Sequence, residues 1–232
     1  EYSLPWQAGT TGIAYNLKAT GGKELTSVAD LWDPALKGKV SMLTEMRDTI
    51  GLIAMSEGVD ISTANTIEEY QPAFDTLKEQ VDNGQIRQFT GNEYVGPLED
   101  GSLAACFAWS GDVLGMENPD IRYVVPDSGG TLWFDAMVIP KGASNVDDVA
   151  EWMNFVYDPV NAAQITAAVQ FISPVQGVQE QLRKMGGEDA ALADNPLLFP
   201  DDATKARLHT FANLSDDQEA KFDEEFSKIS GA

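Results

Sequence analysis

Apolar positions along this chain recur with two periods that replace one another several times. Thr11-Gly12-Ile13-Ala14-Tyr15-Asn16 reads as a short strand, and Lys39 to Leu43, Gln85 to Thr90, Leu103 to Trp109 and Ile121 to Val125 read as four more, each a brief apolar run bounded by turn residues. Between them the spacing becomes helical. Arg47 to Glu57 places Ile50, Ile53 and Ala54 on one side and closes at Gly58, and Thr66 to Val81 repeats the pattern through Ile67, Tyr70, Phe74 and Leu77 until Asn83-Gly84 stops it. Thr26 to Trp32 opens a further helix behind a hydroxyl cap, and Pro34 ends it. Strands alternating with helices predict an α/β domain with a largely parallel sheet.

A second region begins at the turn Asp127-Ser128-Gly129-Gly130. Trp133 to Pro140 predicts a strand, and Val146 to Tyr157 a helix with Val149, Trp152, Met153 and Val156 along one face. Asp158-Pro159 starts another helix with proline in its first turn. Gln170 to Gln176 is a connection, and helical stretches near Val178 to Met185 and Asp216 to Ile229 follow. No internal repeat interrupts this order.

Composition narrows the class. The 232 residues include 37 acids and 15 bases, a formal charge of −22. So negative a field repels phosphate backbones and attracts cations, which excludes nucleic acid as a partner. Solubility or a salt-tolerant source explains the global excess, so only the placement of particular acids argues for a site. No apolar run reaches the roughly 20 residues that span a bilayer. The single cysteine, Cys106, lies in the run Leu103 to Ala108 and reads as a small buried hydrophobe. The chain opens on Glu1-Tyr2-Ser3-Leu4-Pro5-Trp6, with no initiating methionine and no basic-then-apolar leader, which predicts a processed chain or a fragment.

Three acid-bearing segments stand out: Thr44-Glu45-Met46-Arg47-Asp48, Ala108-Trp109-Ser110-Gly111-Asp112 and Gly129-Gly130-Thr131-Leu132-Trp133-Phe134-Asp135. An aromatic face beside an anion suits recognition of an organic cation, because the ring attracts the charge while the carboxylate accepts its N–H donors. Each residue also has a structural explanation. Asp48 in a first helical turn favours the helix dipole, Asp112 could cap the helix after Ser110-Gly111, and Trp109 and Trp133 could be core residues of apolar strands. Asp135, between Phe134 and Ala136, would need a partner if buried. Arg47 is a candidate for that partner, or for orienting Asp48.

Catalysis is the competing class. Paired carboxylates serve glycosidases, and a carbohydrate-active or other enzyme on the same type of fold remains the alternative. Against it, the only histidine, His209, reads as solvated, Ser110-Gly111-Asp112 is not a nucleophile turn, and one His with one Cys makes no zinc site. No cofactor is expected, since Ser128-Gly129-Gly130 lacks the lysine and spacing of a phosphate loop. The pairs Asp147-Asp148, Asp201-Asp202 and Asp216-Asp217 lack the alternation of a calcium loop, so no metal is expected either, and helix starts explain them.

The runs Leu4-Pro5-Trp6 through Asn16, Leu31-Trp32-Asp33-Pro34-Ala35-Leu36-Lys37-Gly38-Lys39-Val40, Ala108 to Asp112 and Val125 to Gly130 together resemble the spermidine/putrescine-binding proteins of bacterial ABC importers. That resemblance implies a type II periplasmic-binding-protein-like fold, two α/β lobes joined by crossing strands that close over a polyamine. Proteins of that family begin with a first lobe of about a hundred residues ahead of the segment that matches Leu4 to Asn16. The expectation is therefore one complete α/β lobe from residues 10–129 and 177–232, with hinge and returning partner-lobe pieces at 1–9 and 130–176. Position by position, the resemblance assigns ligand carboxylates to Asp48, Asp112 and Asp135, with Glu45 a weaker candidate, and aromatic cover to Trp109 and Trp133. Phe171 falls where the family often has a tyrosine. No counterpart of the family's C-terminal polar contact is found near Thr210-Phe211-Ala212. A membrane permease is the implied partner, the location is periplasmic or extracellular and membrane-associated, and the incomplete lobe would expose apolar surface open to self-association.

Overall fold

Segments with a two-residue or continuous apolar period pair into one sheet. In the computed structural model, which describes residues 3–231, the first strand, β1, is Ser3–Asn16. It begins well before the expected Thr11, because Pro5 and Gly9 mute the strand signal and because Gln7 to Asn16 are buried on both faces, which erases alternation. The expected segments 1–9 and 177–232 lie outside the described residues at positions 1, 2 and 232.

Thr26 to Trp32 forms a 3-10 turn at Val28–Trp32, followed by another at Pro34–Leu36, where a longer helix would meet Pro34. Asp30 reaches back to the backbone N–H groups of Thr26 and Ser27, both at 3.0 Å, which satisfies donors that a helix start leaves open. Next come β2 (Val40–Leu43), α1 (Met46–Ser56), α2 (Ile67–Asp82), β3 (Ile86–Thr90), α3 (Val95–Asp100), β4 (Ala105–Trp109), α4 (Ser110–Leu114) and β5 (Ile121–Val124). Then follow β6 (Gly130–Val138), α5 (Val146–Val156), α6 (Pro159–Val169), α7 (Val178–Met185), α8 (Gly187–Leu192), α9 (Asp202–Lys205), β7 (Leu208–His209) and α10 (Asp216–Ser230).

The strand order is β3-β2-β4-β1-β6-β7, with β5 also paired to β1. It is a mixed sheet and not the largely parallel one expected. β2 runs parallel to β3 and β4, because α1 with α2, and then α3, carry the chain back between them. β1 runs antiparallel to β4 and β5.

The chain divides into two compact units, Thr10–Leu132 with Ala206–Ala232, and Glu1–Gly9 with Trp133–Lys205. The larger unit has a core of fully buried residues that includes Ile13, Met42, Ile53, Phe74, Leu77 and Phe107. Phe222 and Phe226 of α10 close it, meeting Tyr70, Phe74 and Phe89 edge-on at centroid distances of 5.0, 5.8 and 5.6 Å.

The smaller unit has its own core, built from Ala162 and Ala163 of α6, Val178 and Leu182 of α7, and Ala193. This corrects the expected division, since residues 177–205 pack with α6 and do not join residues 10–129. The expected face of α5 is also revised. Val156 is buried, but Trp152 is 49% exposed and leans on Trp6 at 5.7 Å.

Candidate functional site

Because β2, β3 and β4 are parallel, their C-terminal ends lie at one edge of the sheet, the place where open α/β sheets gather functional groups. Glu45 and Asp48 follow β2, Asn92 and Tyr94 follow β3, and Trp109 and Asp112 end and follow β4. β1 is antiparallel to β4, so Thr11 pairs with Trp109 at this same edge.

Asp48 stands in the first turn of α1 and is only 3% exposed. Its Oδ2 accepts the Trp109 indole N–H at 3.0 Å and its Oδ1 accepts the Thr131 hydroxyl at 2.5 Å. Burial pushes its pKa up, opposed by bonds from Thr131, Trp109 and Thr11. The carboxylate thus ties β1, β4 and β6 to the start of α1 and fixes the plane of the indole. Arg47 does not orient it. The guanidinium donates to the Ala212 carbonyl at 2.7 Å and covers the Phe211 ring at 4.8 Å, which gives the segment near Thr210 a role that spacing did not reveal.

Glu45 is the N-cap of α1 and is exposed, accepting the Arg47 N–H at 3.4 Å. Although its surface is open to solvent, protein packed around the carboxyl displaces part of its hydration and raises its pKa, and the neighbouring charge of Asp48 raises it further. Two anions so close favour a cation nearby.

Asp112 is half-buried and does not cap α4. Its Oδ2 accepts both the Asn92 amide, at 2.7 Å, and the Tyr94 hydroxyl, at 2.5 Å. The Tyr94 oxygen in turn accepts the Trp109 backbone N–H at 3.0 Å, and the two rings meet edge-on at 6.4 Å. Asn92, Tyr94, Thr11 and Thr131 were missed in the sequence. The available signal was a threonine in each of two strands, Thr11 in β1 and Thr131 in β6.

Trp133, Asp135 and Phe171 belong to the smaller unit. The Trp133 ring lies against Phe171, with centroids 5.6 Å apart and planes tilted by 57°. Asp135 is exposed, as are Phe134 and Ala136 beside it, so no burial penalty demands a partner for it. His209, which reads as solvated from the sequence, is half-buried on β7 opposite Thr131. Asp147, Asp148, Asp216 and Asp217 occupy first helical turns, and Asp201 accepts the Thr204 N–H at 2.7 Å, which accounts for the acid pairs by helix starts.

Within the described residues no helix is long and apolar enough to cross a membrane. The described residues contain no group of three or more His, Cys, Asp or Glu side chains able to hold a metal ion.

A relative in Escherichia coli, the spermidine/putrescine-binding periplasmic protein, is 27% identical over 206 residues, covering 88% of this chain and 57% of its own. The chain thus spans little more than half the length of that relative. A solved structure of a spermidine/putrescine ABC transporter protein from Listeria monocytogenes is 30% identical with a TM-score of 0.87, over 98% of this chain and 68% of that one. The spermidine/putrescine ABC transporter substrate-binding protein of Streptococcus pneumoniae matches at 25% identity and a TM-score of 0.79, over 99% of this chain and 69% of its own. The fold is therefore that of the periplasmic binding proteins. Residues 1–200 also match the family model for bacterial extracellular solute-binding proteins, and the chain belongs to that family.

Proposed function

We propose that this chain is part of the extracytoplasmic solute-binding component of an ABC importer and binds a linear polyamine of the putrescine/spermidine class for delivery to a membrane permease. The observation that carries this reading is the Trp109 indole, held by buried Asp48, at a sheet edge where Glu45 follows β2 and Asp112 follows β4. An ammonium leaving water must recover its hydration through N–H bonds to carboxylates, since an uncompensated buried charge costs about 3–5 kcal/mol. Methylenes need flat apolar cover, and each cation–π contact adds about 0.5–2 kcal/mol.

In this reading Glu45 and Asp112 take an amine at the larger unit, with Trp109 along the adjoining methylenes. Asp48 acts mainly through the indole it holds. Trp133, Phe171 and Asp135 form the corresponding aromatic-and-acid set of the smaller unit. The names of the relatives support the ligand class, and the family match favours binding over the carbohydrate-active alternative.

Calorimetric titration with putrescine, spermidine and Ca²⁺ tests the proposal. Saturable heat from a polyamine, weakened at least ten-fold by Asp112→Asn and by Asp135→Asn, is the expected result. Heat from Ca²⁺ alone, or polyamine binding indifferent to both substitutions, would overturn it.

Self-association belongs to the same proposal. Among the described residues every exposed large hydrophobic lies in the smaller unit, Phe134 at 59% and Phe155 at 60% being prominent. Sedimentation should show a concentration-dependent dimer that Phe155→Lys dissociates.

A further inference from the structure

A glycine in a buried strand interior loses packing and conformational entropy, so it needs a local reason. Gly9 is buried in β1 and its φ is not in the left-handed region, so backbone freedom is not that reason. Its reason is close approach. A Cβ at Gly9 would lie 2.3 Å from Cζ2, 2.7 Å from Cη2 and 2.9 Å from Cε2 of Trp133. The outer ring of the indole therefore rests on the bare backbone of Gly9.

Neighbouring chain builds a second wall. Ala8 and Ile172 exchange two backbone hydrogen bonds of 2.9 Å, which brings the 170–172 segment alongside Gly9. Gln170, at φ 60° and ψ 31°, ends α6 and turns the chain into that bridge. Phe171 then meets the indole at 5.6 Å. Trp133 is only half-buried, so a seated indole still presents surface to a solute.

We propose that Gly9 is a positioning residue for polyamine recognition: its missing side chain, together with Phe171, sets the orientation of the Trp133 indole. This rests on the polyamine reading above, but the seat itself can be tested without ligand. In the chain labelled with 5-fluorotryptophan, the Trp133 resonance is assigned by its loss in Trp133→Phe. Gly9→Ala should shift that resonance and leave those of Trp6, Trp32, Trp109 and Trp152 in place, and Phe171→Ala, which keeps Gly9, should shift the same one.

With putrescine or spermidine, Gly9→Ala should weaken binding about ten-fold, within the range of one cation–π contact. In the Trp133→Phe background, which lacks the outer ring atoms that meet Gly9, it should have no further effect. A Trp133 resonance unmoved by both Gly9→Ala and Phe171→Ala would overturn the seat, as would an equal loss of affinity in the two backgrounds. If the unsubstituted chain binds no polyamine, the functional reading fails and the resonance shifts alone decide the seat.

Discussion

At the scale of single residues, Asp48 shows how an acid that looks like a ligand contact can serve the protein first. Its oxygens are taken by the Trp109 indole and the Thr131 hydroxyl, donors that lie far from it along the chain. Sequence could mark Asp48, Trp109 and Asp112 as aromatic-and-acid neighbours, but not who satisfies whom, because partners across a sheet leave no local spacing.

The pKa of Asp48 couples folding stability to pH. Burial raises it, so the folded state holds a proton in a window where the unfolded chain, at about 3.9, has lost it. Stability from this group is present below about pH 4 and falls as pH rises through the folded value. Urea midpoints of Asp48→Asn relative to the parent should therefore improve as pH climbs from about 4, and a pH-independent difference would rule the shift out.

Asp30 runs the other way. Burial raises its pKa, but bonds from Thr26, Ser27 and Lys23 outweigh that and hold it at about 2. Its contribution is present above about pH 4 and is lost as pH falls towards 2, so Asp30→Asn should flatten the acid limb of a stability profile.

At the scale of elements, the helices were legible where chemistry marks both ends. α2 begins with Thr66 and Glu69, whose carboxylate takes the N–H groups of Asn65 and Thr66 at 3.1 and 3.0 Å. Thr66→Ala should cost about 1 kcal/mol by urea denaturation.

Strands were legible only in part. β2, β3 and β5 show as short apolar runs, whereas β1 hides behind Pro5 and Gly9 and its two buried faces. The largely parallel sheet failed as an expectation because β1 pairs antiparallel with both β4 and β5, and the direction of a pairing between strands distant in the chain leaves no mark in local spacing. Gln170 is the described non-glycine residue with positive φ. Since a left-handed conformation costs such a residue roughly 1–2 kcal/mol, Gln170→Gly should raise the thermal midpoint of the smaller unit.

At the scale of the whole molecule, two separate cores imply two separable transitions. Leu182→Ala should destabilise the smaller unit by about 2–5 kcal/mol, and Phe74→Ala the larger by about 3–5 kcal/mol. Scanning calorimetry should show each substitution lowering a different peak, and a common shift would contradict the division. That residues 177–205 pack into the smaller unit was not legible in the sequence. α7 carries only Val178 and Leu182 as buried apolar residues, too little to say which core they enter.

The larger unit is interrupted by the smaller one and is finished by α10, whose Phe222 and Phe226 seal Tyr70, Phe74 and Phe89. During synthesis, these three rings leave the ribosome long before their cover does. The nascent chain must therefore wait with an open hydrophobic seam until residues 216–230 emerge, and a stop codon ahead of Phe222 should yield a product that chaperones retain or proteases clear.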